Sequence, residues 1–241
     1  MRMAYLGQDR PDIQFATKEL ARGMQAPDRW EQKSIKRAVR YLLGAGRVVQ
    51  RYKQQDTPKG ITVYTDSDFA GCTRTRKSTS CCIVFWGNHM LRSTSTTQGV
   101  ISMSSGEAEF YSAVKGASIA MGITALFKDL GVEMKKPAEL RVDSTACLGM
   151  ARRKGAGRVR HIHTPTLWLQ QAVAAGQIVL AKEPGTTNPA DLGTKPLPKA
   201  RIWEIMGELG FVQLAGRSRL ALRAAVGDSE VDAGALAPAS R

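Results

Sequence analysis

The stretch that most constrains this chain is Tyr64 to Gly71, YTDSDFAG, where an apolar run of Ile61, Val63 and Tyr64 leads straight into Asp66. Three β-rich residues ending in a carboxylate describe a buried strand that delivers one acid to the edge of a sheet. Further acids stand in similar settings downstream: Glu107 and Glu109 in SSGEAEF, Asp143 in LRVDSTAC and Asp191 in NPADLGTKPL. Four of these acids are expected to converge. A cluster built only of carboxylates is the ligand set of hard divalent cations such as Mg2+ or Mn2+. The chain carries 35 Lys and Arg against 21 Asp and Glu, a formal net charge of +14. That balance favours a polyanionic partner, nucleic acid first, and with the carboxylates it points to phosphodiester chemistry.

With 241 residues, 43% of them apolar, the chain can bury a full core. No uninterrupted apolar stretch reaches the roughly 18 to 20 residues of a membrane span. The start, MRMAYLGQDRPD, has no signal-peptide core. No membrane partner is expected, and the location reads as intracellular, cytoplasmic or nuclear. Cys72, Cys81, Cys82 and Cys147 form no zinc pattern and read as free, small residues.

The first 55 residues read as a helical segment. Pro11 suits a first helical turn, with Ile13, Ala16, Leu20 and Met24 following at helical spacing. A second helix is expected after Asp28 as N-cap, with Trp30, Ile35, Ala38 and Leu42 as its apolar stripe and Lys33, Lys36, Arg37 and Arg40 as a basic side. Residues 51–60 read as a linker. From Ile61 the periodicity changes to strands: Ile61 to Thr65, Cys81 to Trp86 after a polar turn, and Met90 to Ser95 after Gly87-Asn88. Ser104, with Glu107 in a capping box, opens a long helix ending near residue 130. A strand from Leu140 to Val142, a short helix from Thr145 to Ala151, a helix from Thr164-Pro165 to Ala175 and a strand from Gln177 to Ala181 follow. The chain turns helical around Pro189 and again from Pro198 to Leu209. This order predicts an α/β domain over 61–210, a five-stranded mixed sheet flanked by helices on both faces. Residues 211–241, rich in Ala, Gly and Ser, read as a disordered tail. If the first and fourth strands are parallel neighbours, Asp66 and Asp143 share one sheet edge.

Residues 61–197 resemble the ribonuclease H domain of copia-type LTR retrotransposons through the ordered set YTDSDFAG, RKSTS, SSGEAEF, VDSTACLGMA, RHIH and ADLGTKPL. RPDIQFATKELARGMQAP and KRAVRYLLGAG resemble the segment joining the reverse transcriptase to that domain. The resemblance implies an RNase H-like fold, part of a Pol polyprotein, with Asp66, Glu109, Asp143 and Asp191 as catalytic ligands of two Mg2+ ions. The family's Ala-Glu before a large apolar residue falls on Ala108-Glu109-Phe110, which selects Glu109 over Glu107; Asp68 is the alternate to Asp66. It implies an RNA/DNA hybrid as substrate and 5′-phosphate and 3′-hydroxyl products. His161 of RHIH is read as an aid to product release or proton transfer, with a structural histidine as the alternative. Two departures stand out: Cys81 where the family has Gly after RKSTS, and His163 where it has Asp. No Tyr-x-Asp-Asp is present, so the chain holds no polymerase palm.

Arg76, Lys77 and Ser78 of RKSTS are assigned to nucleic-acid binding. The same role is given to Arg152, Arg153, Lys154, Arg158 and Arg160, five cations around Gly155-Ala156-Gly157 that are expected to grip the hybrid backbone near the metal edge. A solvated surface loop is the alternative there. For the whole chain, the alternatives to a hybrid-cleaving nuclease are a non-catalytic nucleic-acid-binding remnant and a DNA-directed nuclease.

Overall fold

The structure, a computed structural model, describes residues 2–216 apart from 158, 160 and 163. Three helices lead: α1 (Arg2–Asp9), α2 (Pro11–Arg22) and α3 (Arg29–Gly44). Asp28 caps α3 by accepting from Trp30 N and Glu31 N, while the Glu31 side chain returns to the Asp28 N–H, a full capping box. A short strand β1 (Val48–Gln50) follows, then β2 (Ile61–Ser67), β3 (Thr79–Trp86), β4 (His89–Thr97), α4 (Ser105–Asp129), β5 (Ala138–Val142) and α5 (Thr145–Arg152). A 3₁₀ turn at Thr164–Leu167 runs into α6 (Trp168–Ala174), then come β6 (Ile178–Lys182), a 3₁₀ turn at Pro189–Gly193, α7 (Lys199–Glu208) and β7 (Phe211–Gln213).

The main sheet has the order β4-β3-β2-β5-β6, with β2, β3 and β4 antiparallel and β5 and β6 parallel to β2. This is the five-stranded mixed sheet, flanked by helices, that the sequence predicts. One face packs on α4, where Val63, Val84, Phe110, Ala113, Ala117 and Leu140 are buried together. Although long and apolar enough in composition to cross a membrane, α4 is the core helix of this face. Gly116 sets how close it comes: a Cβ there would stand 2.5 Å from Thr65 Cγ2. Glu109 lies seven residues before Gly116, two turns along one helix face, so the close approach brings its side chain to the end of β2. The other face is covered by the Pro189–Gly193 turn and α7 through Ile83, Met90, Leu192, Ile205 and Met206.

Three expectations are corrected. The first 55 residues are not helical throughout, and 211–241 is not disordered throughout: β1 pairs antiparallel with β7, from Val48 opposite Gln213 to Gln50 opposite Phe211. Phe211 is buried against the α7 side of the core, which holds β7 in place. Residues 217–241 lie outside the described residues. The N-terminal helices pack on the main sheet. The Gln14 amide donates to Ser93 O on β4 at 3.2 Å and the Lys18 ammonium to Thr79 Oγ1 on β3 at 2.6 Å. The third correction is that the helix from Thr164-Pro165 is split, its first turn being 3₁₀.

Candidate active site

Parallel pairing of β2 with β5 sets Thr65 opposite Val142, so the next residues, Asp66 and Asp143, emerge at one sheet edge. Glu109 reaches the same edge from the first turns of α4. One carboxylate oxygen from each of Asp66, Glu109 and Asp143 lies within 4.8 Å of the other two. Asp66 and Glu109 are buried and Asp143 is half-buried.

The partners of these acids differ. The Thr194 hydroxyl donates to Asp66 Oδ2, and the Lys195 ammonium stands 3.6 Å from the same oxygen. Glu109 Oε1 accepts from the Ser67 N–H at 3.0 Å, while its Oε2 is buried with no hydrogen-bond partner among the described residues. Burial, with Asp191 and Asp143 adding to it and Thr194 and Lys195 opposing, pushes the Asp66 carboxyl up to about 6. Burial, with Asp66 and Asp143 beside it, pushes Glu109 up to about 8 against the Ser67 N–H. An acceptor-only oxygen, buried beside two further carboxylates and lacking a donor, fits a hard divalent cation.

The expected fourth acid does not join the three. Asp191 sits in the Pro189–Gly193 turn and accepts from the Lys195 ammonium at 2.5 Å. Its link to the cluster runs through that lysine, whose charged form burial disfavours but Asp191, Asp66 and Asp143 favour more strongly, so its pKa rises. Asn188 holds the turn in place, its amide donating to Thr65 O at 3.0 Å and its oxygen accepting from Ala190 N. The turn also presses close to β3, since a Cβ on Gly193 would meet Cys81 Sγ at 2.5 Å. Cys81, one of the two departures from the family pattern, is thus accommodated against a glycine; His163, the other, lies outside the described residues.

Of the two glutamates, Glu109 is the one beside Asp66 and Asp143. Glu107 turns the other way, accepting from Met103 N and pairing with His161 Nε2, each at 2.8 Å. His161 therefore meets Glu107 rather than the three clustered acids. Asp68 also stays out of the cluster, its carboxylate accepting from Thr79 N. Ser78 is corrected: it is fully buried, and its hydroxyl accepts from Ala70 N at 3.0 Å, so it braces the 70–78 loop instead of meeting a ligand. Arg76 is exposed and Lys77 half-exposed. Arg152 and Lys154 are exposed, whereas Arg153 donates to Ala156 O within its own loop. Arg158 and Arg160 lie outside the described residues. Thr194, Lys195 and Asn188 carried no role in the sequence reading; the signal available was their place in the NPADLGTKPL motif.

No protein-family model matches the chain. It is 27% identical over 215 residues to a retrovirus-related Pol polyprotein from transposon RE2 of Arabidopsis thaliana, covering 88% of this chain and 15% of that protein. It is 26% identical over 201 residues to the corresponding polyprotein from transposon TNT 1-94 of Nicotiana tabacum, covering 83% and 15%. The chain thus spans about a seventh of the length of these curated relatives. Among solved structures it is similar to the N-terminal RNase H domain of a Mycobacterium tuberculosis protein, with 16% identity, a TM-score of 0.39 and coverage of 63% of this chain and 98% of that one. It is also similar to LC11-RNase H1 solved in complex with an RNA/DNA hybrid, with 20% identity, a TM-score of 0.37 and coverage of 56% and 93%.

Proposed function

We propose that this chain, similar over most of its length to retrotransposon Pol polyproteins, is their ribonuclease H part and hydrolyses the RNA strand of RNA/DNA hybrids with divalent metal. The observation that carries the reading is the meeting of Asp66, Glu109 and Asp143 at the edge formed by β2 and β5. These three would hold the metal, Mg2+ with Mn2+ as a substitute, and Asp191 would join as a ligand once Lys195 is displaced. When bound, such ions supply Lewis acidity to the attacking water and to the leaving 3′ oxygen, which gives 5′-phosphate and 3′-hydroxyl ends. The chain's own residues set the geometry: Ser67 N–H fixes Glu109, Thr194 fixes Asp66, and Lys195 offsets the carboxylate charge. Residues 1–55 read as the connecting segment, though packed on the 61–210 domain. Incubation with a hybrid, a DNA duplex and an RNA duplex, each with and without Mg2+, tests this. Cleavage of the hybrid's RNA strand alone, and only with metal, is expected; uncut hybrid with retained binding would instead make the chain a non-catalytic binder.

The cations after α5 support a backbone contact away from the scissile phosphate. Arg152 lies one helix of eight residues, about 12 Å, beyond Asp143 and near Leu180 O in the middle of β6. Gln170 holds the following loop with bonds to the N–H and carbonyl of Gly155. Neutralising Arg152 and Lys154 to Gln is expected to flatten the salt dependence of hybrid binding. Each lost phosphate contact lowers the slope of log affinity against log salt by roughly 0.7 to 0.9. An unchanged slope, measured with labelled hybrid and Ca2+ to block turnover, would leave both residues on a solvated face.

A further inference from the structure

A groove of about 440 Å³ runs between α2 and α3 on one side and the segment Leu192 to Ile202 on the other. Lys195 lines it, and this lysine is also the residue beside Asp66 and Asp191. Lys195 thus stands between the groove and the carboxylate edge. Trp30, 71% exposed at the start of α3, lines the groove too, with the Lys33 ammonium 4.8 Å from the ring centroid. A tryptophan this exposed at the first turn of a capped helix contributes little to the core of this chain.

The charges along the groove are unequal in availability. Its three acids are already engaged: Asp12 by Arg10 and Tyr41, Glu19 by Lys18 and Arg22, and Glu31 by the Asp28 N–H and Arg74. Arg37 and Lys199 line the same groove and have no acidic partner among the described residues. The surface thus offers free cations in a trough lined also by an exposed aromatic ring. A backbone-tracking line of positive charge with an aromatic platform is the chemistry that takes single-stranded nucleic acid, phosphates on the cations and a base on the ring.

We infer that this groove binds a single-stranded extension of the RNA strand of the hybrid. The choice of strand rests on the nuclease reading: the strand held at the carboxylates is the one to be cut, and Lys195 joins that edge to the groove. A base stacked on Trp30 gains Lys33 as a neighbouring cation. The repulsion of phosphate by the acids of the groove is reduced, since each is already paired.

The test compares three labelled probes on the full chain, with Ca2+ to prevent turnover: a blunt hybrid, one with a single-stranded RNA extension and one with a single-stranded DNA extension. The wild-type chain is expected to prefer the RNA-extended probe over the blunt one. The double variant Trp30→Ala, Arg37→Gln should lose that preference, weakening the RNA-extended complex roughly tenfold, with blunt-hybrid binding unchanged and, when Mg2+ replaces Ca2+, blunt-hybrid cleavage unchanged. Trp30→Phe, Arg37→Lys keeps ring and charge and should keep the preference, which separates binding from folding damage. An unchanged preference in the first double variant, or an equal loss on the blunt probe, overturns the groove. Loss confined to the DNA-extended probe overturns the choice of strand. Failure of the nuclease reading appears separately, as an uncut blunt hybrid with the extension preference intact.

Discussion

Asp143→Asn is expected to lower metal-dependent hybrid cleavage by roughly 10² to 10³-fold or more, with melting temperature within a few degrees of the wild type. Asparagine keeps the shape but removes a ligand charge, and transition-state charge stabilisation of this kind is worth several kcal/mol. Asp143 is half-buried at the end of β5, so the change leaves the packing of the strand intact. Wild-type turnover in the variant, assayed at saturating Mg2+, would remove Asp143 from the site. The glutamates give an internal control. Glu109→Gln should damage cleavage far more than Glu107→Gln, because Glu107 is committed to Met103 N and His161. The Glu107 change should show mainly as lost stability, since it alters a buried, hydrogen-bonded group.

The metal-free protein is expected to lose stability at this site as pH rises from about 4 to about 8. Both shifted carboxyls have folded pKa values above their ordinary ones, Asp66 at about 6 and Glu109 at about 8. In that window the folded chain binds more protons than the unfolded chain, so the slope of stability with pH is negative. The contribution is fully present below the unfolded carboxylate range and is lost through about 6 for Asp66 and about 8 for Glu109. The cost on the alkaline side is on the order of a few kcal/mol, several degrees of melting temperature in a domain of this size. Glu109→Gln, which cannot ionise, should therefore melt higher than wild type near pH 8 without metal, and the advantage should vanish near pH 4. Mg2+ should raise the wild-type melting temperature more at pH 8 than at pH 5, and should do so less in the variant. Equal metal-free melting of the two chains at pH 8, by calorimetry, would mean that the site carries no stored repulsion.

The parts of the site that sequence patterns reach are those set by strand alternation and register. An apolar run ending in Asp66 and a second ending in Asp143 need only be parallel neighbours, and the pairing of Thr65 with Val142 makes them so. Glu109 is reached through the Ala108-Glu109-Phe110 motif and through the capping role that already explains Glu107, whereas the Gly116 contact that brings α4 onto β2 shows only in the structure. What the patterns miss depends on side-chain partners. Asp191 stands in its expected motif, yet it turns to Lys195 four residues on, a choice between ion pair and ligand that spacing does not decide. Ser78 lies among exposed cations in sequence, but its hydroxyl serves the backbone of its own loop. The pairing of β1 with β7 is invisible for a different reason: two three-residue strands far apart in sequence carry too little periodicity to announce themselves.

That pairing bears on how late in folding the two ends of the described residues are joined. Every strand of the main sheet lies between β1 and β7, so the clasp is a contact of very long sequence separation, and such contacts are slow to close. In chain order α1, α2 and α3 precede the main sheet, and the strand that ties their end to the rest follows it. Until it pairs, Val48, Val49 and Gln50 present an unpaired edge, the kind of surface that joins wrong partners. Without residues 211–213 the β1 edge would therefore stay open to pairing with a neighbouring copy of the same chain.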